Sequence, residues 1–346
     1  MYLNHSPWIA QIDQEIDYPP LSKNSKTDII VIGAGIAGVS TAYHILTQTD
    51  LSVSLVEAKK IARGASGHNA GQVVLYFEKP FQEIAQQYGL EMAIDGQKSL
   101  FRGFEILEEI AQKIGMSDQL EVCEGYMGVR SLEQLTRHLE NKYLRDVGGA
   151  QFDAIFVDQH WSSINDLPEK FSDMVTVVPQ EFIREKLETH EYFPVMLTSR
   201  KACVNSALFC QTALQYLLQN YSQRLQVYEH SPVEEIRLFP DRANEVLVGD
   251  FRIEGSDIVL CTNGFEHFHI VDLYNSNSRE RDTAFHKNVH GLVGYMAGFF
   301  APHKKASAIS YYPEALPKDW ESEQYFYVTR RTIVQDGAKK SLVCVG

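Results

Sequence analysis

An α/β fold built on a Rossmann-like dinucleotide-binding unit is predicted by three features of the sequence. They are the apolar run DIIVIG at 28–33, the glycine-rich GAGIAG at 33–38, and the helical spacing of VSTAYHILTQ that follows. A run apolar at every position is what a parallel strand covered on both faces shows. The strand-like LSVSLVEA at 51–58 completes a β-α-β unit, in which two parallel strands are joined by a crossover helix. With 346 residues, the chain is long enough for a second domain. The rest of the pattern predicts one of mixed sheet plus helices.

Residues 1–26 are polar and end in Pro19-Pro20 and a Ser/Lys/Asn cluster, which predicts an N-terminal arm in extended form. Between 80 and 115 apolar residues recur at three and four, so helices are expected. Another helix is expected from Ser131, with Glu133 and Gln134 in its first turn. The region 150–200 mixes aromatic, acidic and proline residues and reads as irregular. Asn205 opens the amphipathic NSALFCQTALQYLLQNY, and RLQVYEH, PVEEIRLF and DIVLCTNG read as strands. Aromatic and β-branched residues over 287–335 predict more sheet, and SLVCVG is a final strand. The dinucleotide-binding domain is therefore expected to be discontinuous, over 27–80, 200–270 and 336–346, with the second domain over 81–199 and 271–335.

Composition narrows the partners. Lys+Arg 32 against Asp+Glu 45 leaves a net charge of −13, which excludes a nucleic-acid groove or an anionic membrane surface as the main partner. Five widely spaced cysteines, an odd number without a CxxC, predict a reducing compartment and thus a cytoplasmic protein. No signal-peptide pattern opens the chain, no apolar run reaches bilayer length, and no metal site is expected. The pair His267 and His269 has no third ligand at a useful spacing.

The first glycine loop has a chemical reading. In G-x-G-x-x-G, Gly33 permits a tight turn, Gly35 lets a pyrophosphate approach the backbone, and Gly38 lets helix and strand pack closely. Ile36, Ala37 and Gly38 open the helix whose positive end faces the phosphates. Glu57 lies 19 residues beyond Gly38 at the end of the next strand, where a carboxylate accepts hydrogen bonds from a ribose diol and repels a 2′-phosphate. FAD and NAD both satisfy this loop.

A second small-residue loop, ARGASGHNAGQ at 62–72, is more than a plain NAD domain needs. Small side chains and exposed amides suit close approach of backbone to a flat polar group. With both loops in place, the chain resembles the D-amino-acid-oxidase-like family of FAD-dependent amine oxidoreductases, which includes glycine oxidase and γ-glutamylputrescine oxidase. The matching segments are DIIVIGAGIAGVSTAYHIL with Glu57, GASGHNAG, VNSALF, YEHSPVEEI and IVLCTNG.

The resemblance makes the first domain an FAD-binding domain and the second a substrate domain. It assigns the diphosphate to Gly33–Gly38 and the adenosine ribose to Glu57 with Ala58. The surroundings of the flavin ring fall to Ala65, Ser66, His68, Asn69, Ala70, Gly71 and Gln72. Val233 corresponds to a residue whose backbone holds adenine, and Thr262 and Gly264 to a strand end against the cofactor. In some family members a histidine in H-x-A-G is bonded to the flavin, and His68 has that spacing; in others an arginine stands there and FAD is noncovalent.

The implied activity is hydride transfer from a small amine or amino acid to flavin, with oxygen or another acceptor taking the electrons. Candidates for holding substrate are Arg330, Arg331, Tyr295, Tyr325 and Tyr327, since family members that take amino acids hold the carboxylate with arginine and tyrosine. The catalytic residues are not identified by this resemblance. The family's glycine-rich C-terminal segment would begin where this chain stops, at Gly346, so truncation is expected. A degenerate FAD fold without activity, or an NAD-linked dehydrogenase, are the alternative readings.

Overall fold

A computed structural model describes residues 6–12, 16–264, 268–274, 294–313, 325–335 and 337–346. The chain divides into two compact units, one of residues 1–69 and 205–294, the other of 70–204 and 295–346. Division thus falls after 69 and after 204, where the sequence places it after 80 and after 199. His267 lies outside the described residues, while His269 is exposed.

The first unit holds a parallel sheet in the order β13 (Asp257–Leu260), β2 (Ile29–Ile32), β3 (Val53–Val56) and β9 (Leu225–Tyr228). Every residue of β2 and β3 is buried, which is why neither strand alternates in sequence. Helix α1 (Ile36–Gln48) buries Gly38, Val39, Ala42, Tyr43 and Leu46, one face at helical spacing. It packs against α6 (Ser206–Tyr221). The Asn205 side chain caps α6 by accepting from the Leu208 amide at 3.0 Å.

A second sheet of this unit runs β1 (Ser25–Lys26), β12 (Phe251–Gly255), β11 (Asn244–Val248), β10 (Glu235–Leu238), β14 (His269–Asp272). The β11–β12 hairpin turns on Gly249 at φ +54° and is absent from the sequence-based expectation. Ile30, Ile32 and Val56 share a core with Ile236, Val246 and Ile253. The expected arm is tied into this unit. Trp8 is completely buried, Leu21 joins that core, and Ser25–Lys26 pair with β12.

The second unit is built on a nine-stranded mixed sheet. Its order is β15 (Ala297–Pro302), β18 (Ala338–Val345), β17 (Phe326–Gln335), β16 (Ser307–Tyr312), β5 (Glu121–Val129), β8 (Val195–Cys203), β6 (Asp153–Asp158) and β7 (Thr176–Val178), with β4 (Gln72–Val73) beside β8. Helices α2 (Phe81–Tyr88), α3 (Leu90–Lys113), α4 (Leu132–Val147) and α5 (Gln180–Leu187) belong to it. The helix expected from Ser131 is α4, opened by a reciprocal capping box between Ser131 and Gln134.

Two expectations are corrected here. The region 150–200 is not irregular but holds β6, β7, α5 and most of β8. Strand β8 is buried at seven of nine positions, so it lacks the alternation that marks a half-buried strand. The last strand, expected with the FAD-binding domain over 336–346, pairs residue by residue with β17 in the second unit. Gly337 turns at φ +75° just before β18, and the sequence there reads Asp-Gly at 336–337. That is the two-residue signature of a local hairpin.

Candidate functional site

In the first unit β2 ends at Gly33, whose φ of +98° is a region side chains rarely enter. A Cβ on Gly33 would overlap the Cys261 carbonyl, so the end of β13, with Thr262 next along it, lies directly against this turn. A Cβ on Gly38 would overlap the Gly33 carbonyl. The strand-to-helix turn therefore closes only because two of its positions lack side chains.

Gly35, in extended conformation, caps α1 without a side chain. The amides of Gly35, Ala37 and Gly38 make no hydrogen bond within the described residues. Three open N–H groups at the positive end of a 13-residue helix form a cradle for an anion. The Ala34 and Lys59 amides donate to the two oxygens of Glu57 at 2.9 Å each. These bonds fix the carboxylate at the end of β3. Ala58 beside it is exposed.

The second loop is tied to the first. Ser66 Oγ accepts from the Ile36 amide at 2.8 Å, and a Cβ on Gly35 would stand 2.9 Å from that same oxygen. Asn69 donates through Nδ2 to the carbonyls of Ala65 and Ser66 and to Ser206 Oγ, at 3.0, 2.9 and 2.7 Å. The Ser206 hydroxyl donates to the Ser66 carbonyl at 2.5 Å. From below, the Trp8 indole N–H donates to the Asn69 carbonyl at 2.6 Å, while Asn205 Nδ2 donates to the Trp8 carbonyl at 2.9 Å.

Trp8, Asn205 and Ser206 thus hold the loop. Sequence reasoning missed this role, because no pattern surrounds Trp8 and Asn205 read only as a helix start. Gly67 is buried with no room for a Cβ beside the Ala62 carbonyl. His68 is exposed, with Nδ1 3.0 Å from the Gly64 carbonyl; that bond selects the tautomer with its proton on Nδ1 and leaves Nε2 open. Val233 is half-buried beside the core of the second sheet, and Gly264 is half-buried after Asn263 at φ +61°.

The remaining predicted residues lie in the second unit. Ala70 is half-buried, and Gly71 turns at φ +69° with its carbonyl accepting from Val204 at 2.9 Å. Gln72 donates to Thr329 Oγ1 at 3.0 Å and accepts from Lys201 Nζ at 3.4 Å.

The two arginines of β17 are not brought together. Neighbours on a strand face opposite ways. Arg330 is clamped by both oxygens of Glu188 at 2.6 and 2.8 Å, whereas Arg331 is 1% exposed and donates to Gln119 Oε1 at 3.0 Å. One carboxylate cannot reach both from the same face. Tyr325 stacks on Tyr312 at 5.1 Å between centroids and tilts against Tyr327 at 6.4 Å. Burial, and next Glu78, push the Tyr325 phenol up; burial, Tyr325 and Cys344 do so for Tyr327. Both therefore stay neutral phenols at ordinary pH. Tyr295 is 87% exposed.

Among the described residues no helix is long and apolar enough to cross a membrane. In fold, the chain is similar to L-amino acid deaminase from Proteus myxofaciens, with a TM-score of 0.56 at 15% identity over 94% of this chain and 60% of that one. It is similar as well to glycine oxidase from Geobacillus kaustophilus, with a TM-score of 0.53 at 12% identity over 93% of this chain and 72% of that one. In sequence it matches gamma-glutamylputrescine oxidoreductase of Escherichia coli at 32% identity over 104 residues, 30% of this chain and 24% of that protein. A probable oxidoreductase of Haemophilus influenzae matches at 27% over 129 residues, 37% of this chain and 28% of its own length. These matches span about a quarter of each relative. The family model described as FAD dependent oxidoreductase covers residues 28–332, and to that family the chain belongs.

Proposed function

We propose that the chain binds FAD on its first unit and oxidises a small amine or amino acid. The observation that carries this reading is the cradle of Gly33, Gly35 and Gly38 with its three open amides, roped to a second loop by Ser66. Those amides would receive the diphosphate. Glu57, already oriented by Ala34 and Lys59, would take the ribose hydroxyls, and Val233 the adenine. Ser66, His68 and Asn69 would border the ring from the second loop. Bound FAD supplies the hydride acceptor that no side chain provides.

On the second unit, taken by itself, the tyrosine group is the candidate for contact with an amine. Neutral Tyr325 and Tyr327, beside Tyr312, offer aromatic faces to an alkylamine and phenol groups that hydrogen-bond its nitrogen. The amine must lose its ammonium proton before its α-hydrogen leaves as hydride, and apolar, aromatic surroundings favour that neutral form. Arg330, held by Glu188, serves a substrate carboxylate only by exchanging that partner. This favours amines over amino acids. Oxygen or another acceptor would reoxidise the cofactor. The five cysteines, all free, support the cytoplasmic location expected from their spacing.

The test is an absorption spectrum of the purified protein, repeated on supernatant and pellet after acid precipitation. Flavin bands are expected, and Gly35→Val should abolish them. A colourless protein that takes up no added FAD, or a fully flavin-loaded Gly35→Val, would overturn the proposal.

A further inference from the structure

The second unit contains a cluster that the proposed reaction does not use. In the β5–β8 pairing Cys123 stands directly opposite Lys201, and Cys203 opposite Glu121. Side chains two apart share a face, so two thiols, an ammonium and a carboxylate lie on one side of the sheet. Cys123 and Cys203 pack together with Ala308 and are not joined by a disulfide. Gly125, two residues beyond Cys123, leaves the space that the Lys201 stem fills.

Lys201 is 1% exposed, and among the described residues its ammonium has one hydrogen-bond acceptor, Gln72 Oε1 at 3.4 Å. The ammonium also lies 5.7 Å from the Tyr76 ring centroid. Burial lowers its pKa to about 8, while Cys203, Cys123 and Glu78 act the other way. A buried cation gains from an anion nearby, and the group opposite it in register that can become one is the Cys123 thiol. The two thiols differ in access and in bonding. Cys203 is fully buried, with its one S–H between the Ser307 carbonyl at 3.6 Å and the Cys123 sulfur, whereas Cys123 is 7% exposed. The Cys203 contact, then burial acting the other way, then Lys201 set the Cys123 thiol below its usual range; Glu121 opposes and Lys305 assists. Cys203 is pushed well above that range.

We infer that Cys123 and Cys203 form an oxidisable dithiol in which Lys201 promotes ionisation of Cys123, the attacking thiol, and Cys203 resolves the product. With hydrogen peroxide as oxidant, the Cys123 thiolate attacks one oxygen. The S–O bond forms as the O–O bond breaks, and the leaving hydroxide takes the thiol proton as water. Cys203 sulfur then attacks the sulfenic sulfur; the S–S bond forms, S–O breaks, and the second oxygen leaves as water with the Cys203 proton. Two thiols lose two electrons and one peroxide gains them.

The test uses the whole reduced chain. Iodoacetamide at neutral pH should label Cys123 first of the four buried thiols, at least about tenfold faster than Cys210, since one unit of thiol pKa is a tenfold change in thiolate. One equivalent of hydrogen peroxide should remove two thiols and join the peptides carrying Cys123 and Cys203. Cys203→Ser should leave a sulfenic acid at Cys123 that dimedone traps. Lys201→Met should slow Cys123 labelling about tenfold, and Lys201→Arg should restore most of it. Labelling of Cys123 no faster than Cys210 in the unaltered chain would overturn the inference whatever the variants do. So would loss of two thiols without the linked peptides.

Discussion

The two glycine loops of the first unit reach their shapes by opposite means. Gly33–Gly38 is set by its own stereochemistry: a positive φ at Gly33, and Cβ positions at Gly33 and Gly38 already taken by carbonyl oxygens. The loop 62–69 has Ala62 at φ +56°, no room for a Cβ at Gly67 and a few bonds of its own, but it is also suspended from groups far away in sequence. Trp8, Asn205 and Ser206 hold it through Ser66 and Asn69. One loop is set mainly by its glycines, with the Cys261 carbonyl closing on it, and the other is held mainly by distant side chains. A chemical site therefore depends on residues that carry no chemical signature.

Substitutions separate the two cases. Trp8→Ala should have the largest effect, since truncating a fully buried tryptophan costs about 3–5 kcal/mol. It should also expose the second loop, so trypsin should cut after Arg63 faster. Equal protection in both proteins would show that the loop does not need its distant anchor. Gly38→Ala follows, at about 3 kcal/mol of overpacking in a turn with no room. Its melting temperature should fall together with flavin content, whereas a variant that melts normally would mean the turn can yield.

A position outside both loops gives the control. Burial, then Arg137 and Arg145, hold the imidazole of His138, a half-buried residue, well below its ordinary pKa. The folded ring stays neutral while the unfolded chain binds a proton below its ordinary pKa near 6.5. Stability contributed by this residue is thus intact above pH 6.5 and should fall by about 1 kcal/mol per pH unit on acidification below it. Urea unfolding at pH 7 and pH 5 should show that slope reduced in His138→Gln, with the resistance of Arg63 to trypsin at pH 7 unchanged. Ser66→Ala should be mildest, about 1 kcal/mol for one helix-cap bond. Its signature would be weaker flavin retention at nearly unchanged melting temperature.

The β-α-β unit was legible because its constraints are local: an unbroken apolar strand, glycines at fixed offsets and an acid at the next strand end. The Ser131 capping box was legible for the same reason. Strand β8 was not, since VMLTSRKAC is buried on both faces over most of its length and shows no period. Strand β18 follows an Asp-Gly dipeptide, a turn signal that ties it to the strand before it and so to the second unit. The opposition of Arg330 and Arg331 could have been read from strand parity alone. What Arg330 meets could not, since Glu188 is 142 residues away. Nothing near Trp8 in sequence announces that its indole supports Asn69.

That support has a consequence for how the protein is made. Trp8 leaves the ribosome well ahead of Asn205, whose side chain fixes its carbonyl and is synthesised 197 residues later. At 5–20 residues per second that is an interval of roughly 10–40 s. During it the first glycine turn can form on the nascent chain, while a large indole waits without its pocket and the second loop without its floor. The newborn chain must spend that interval with an aromatic surface exposed, the kind of surface that chaperones are built to shield.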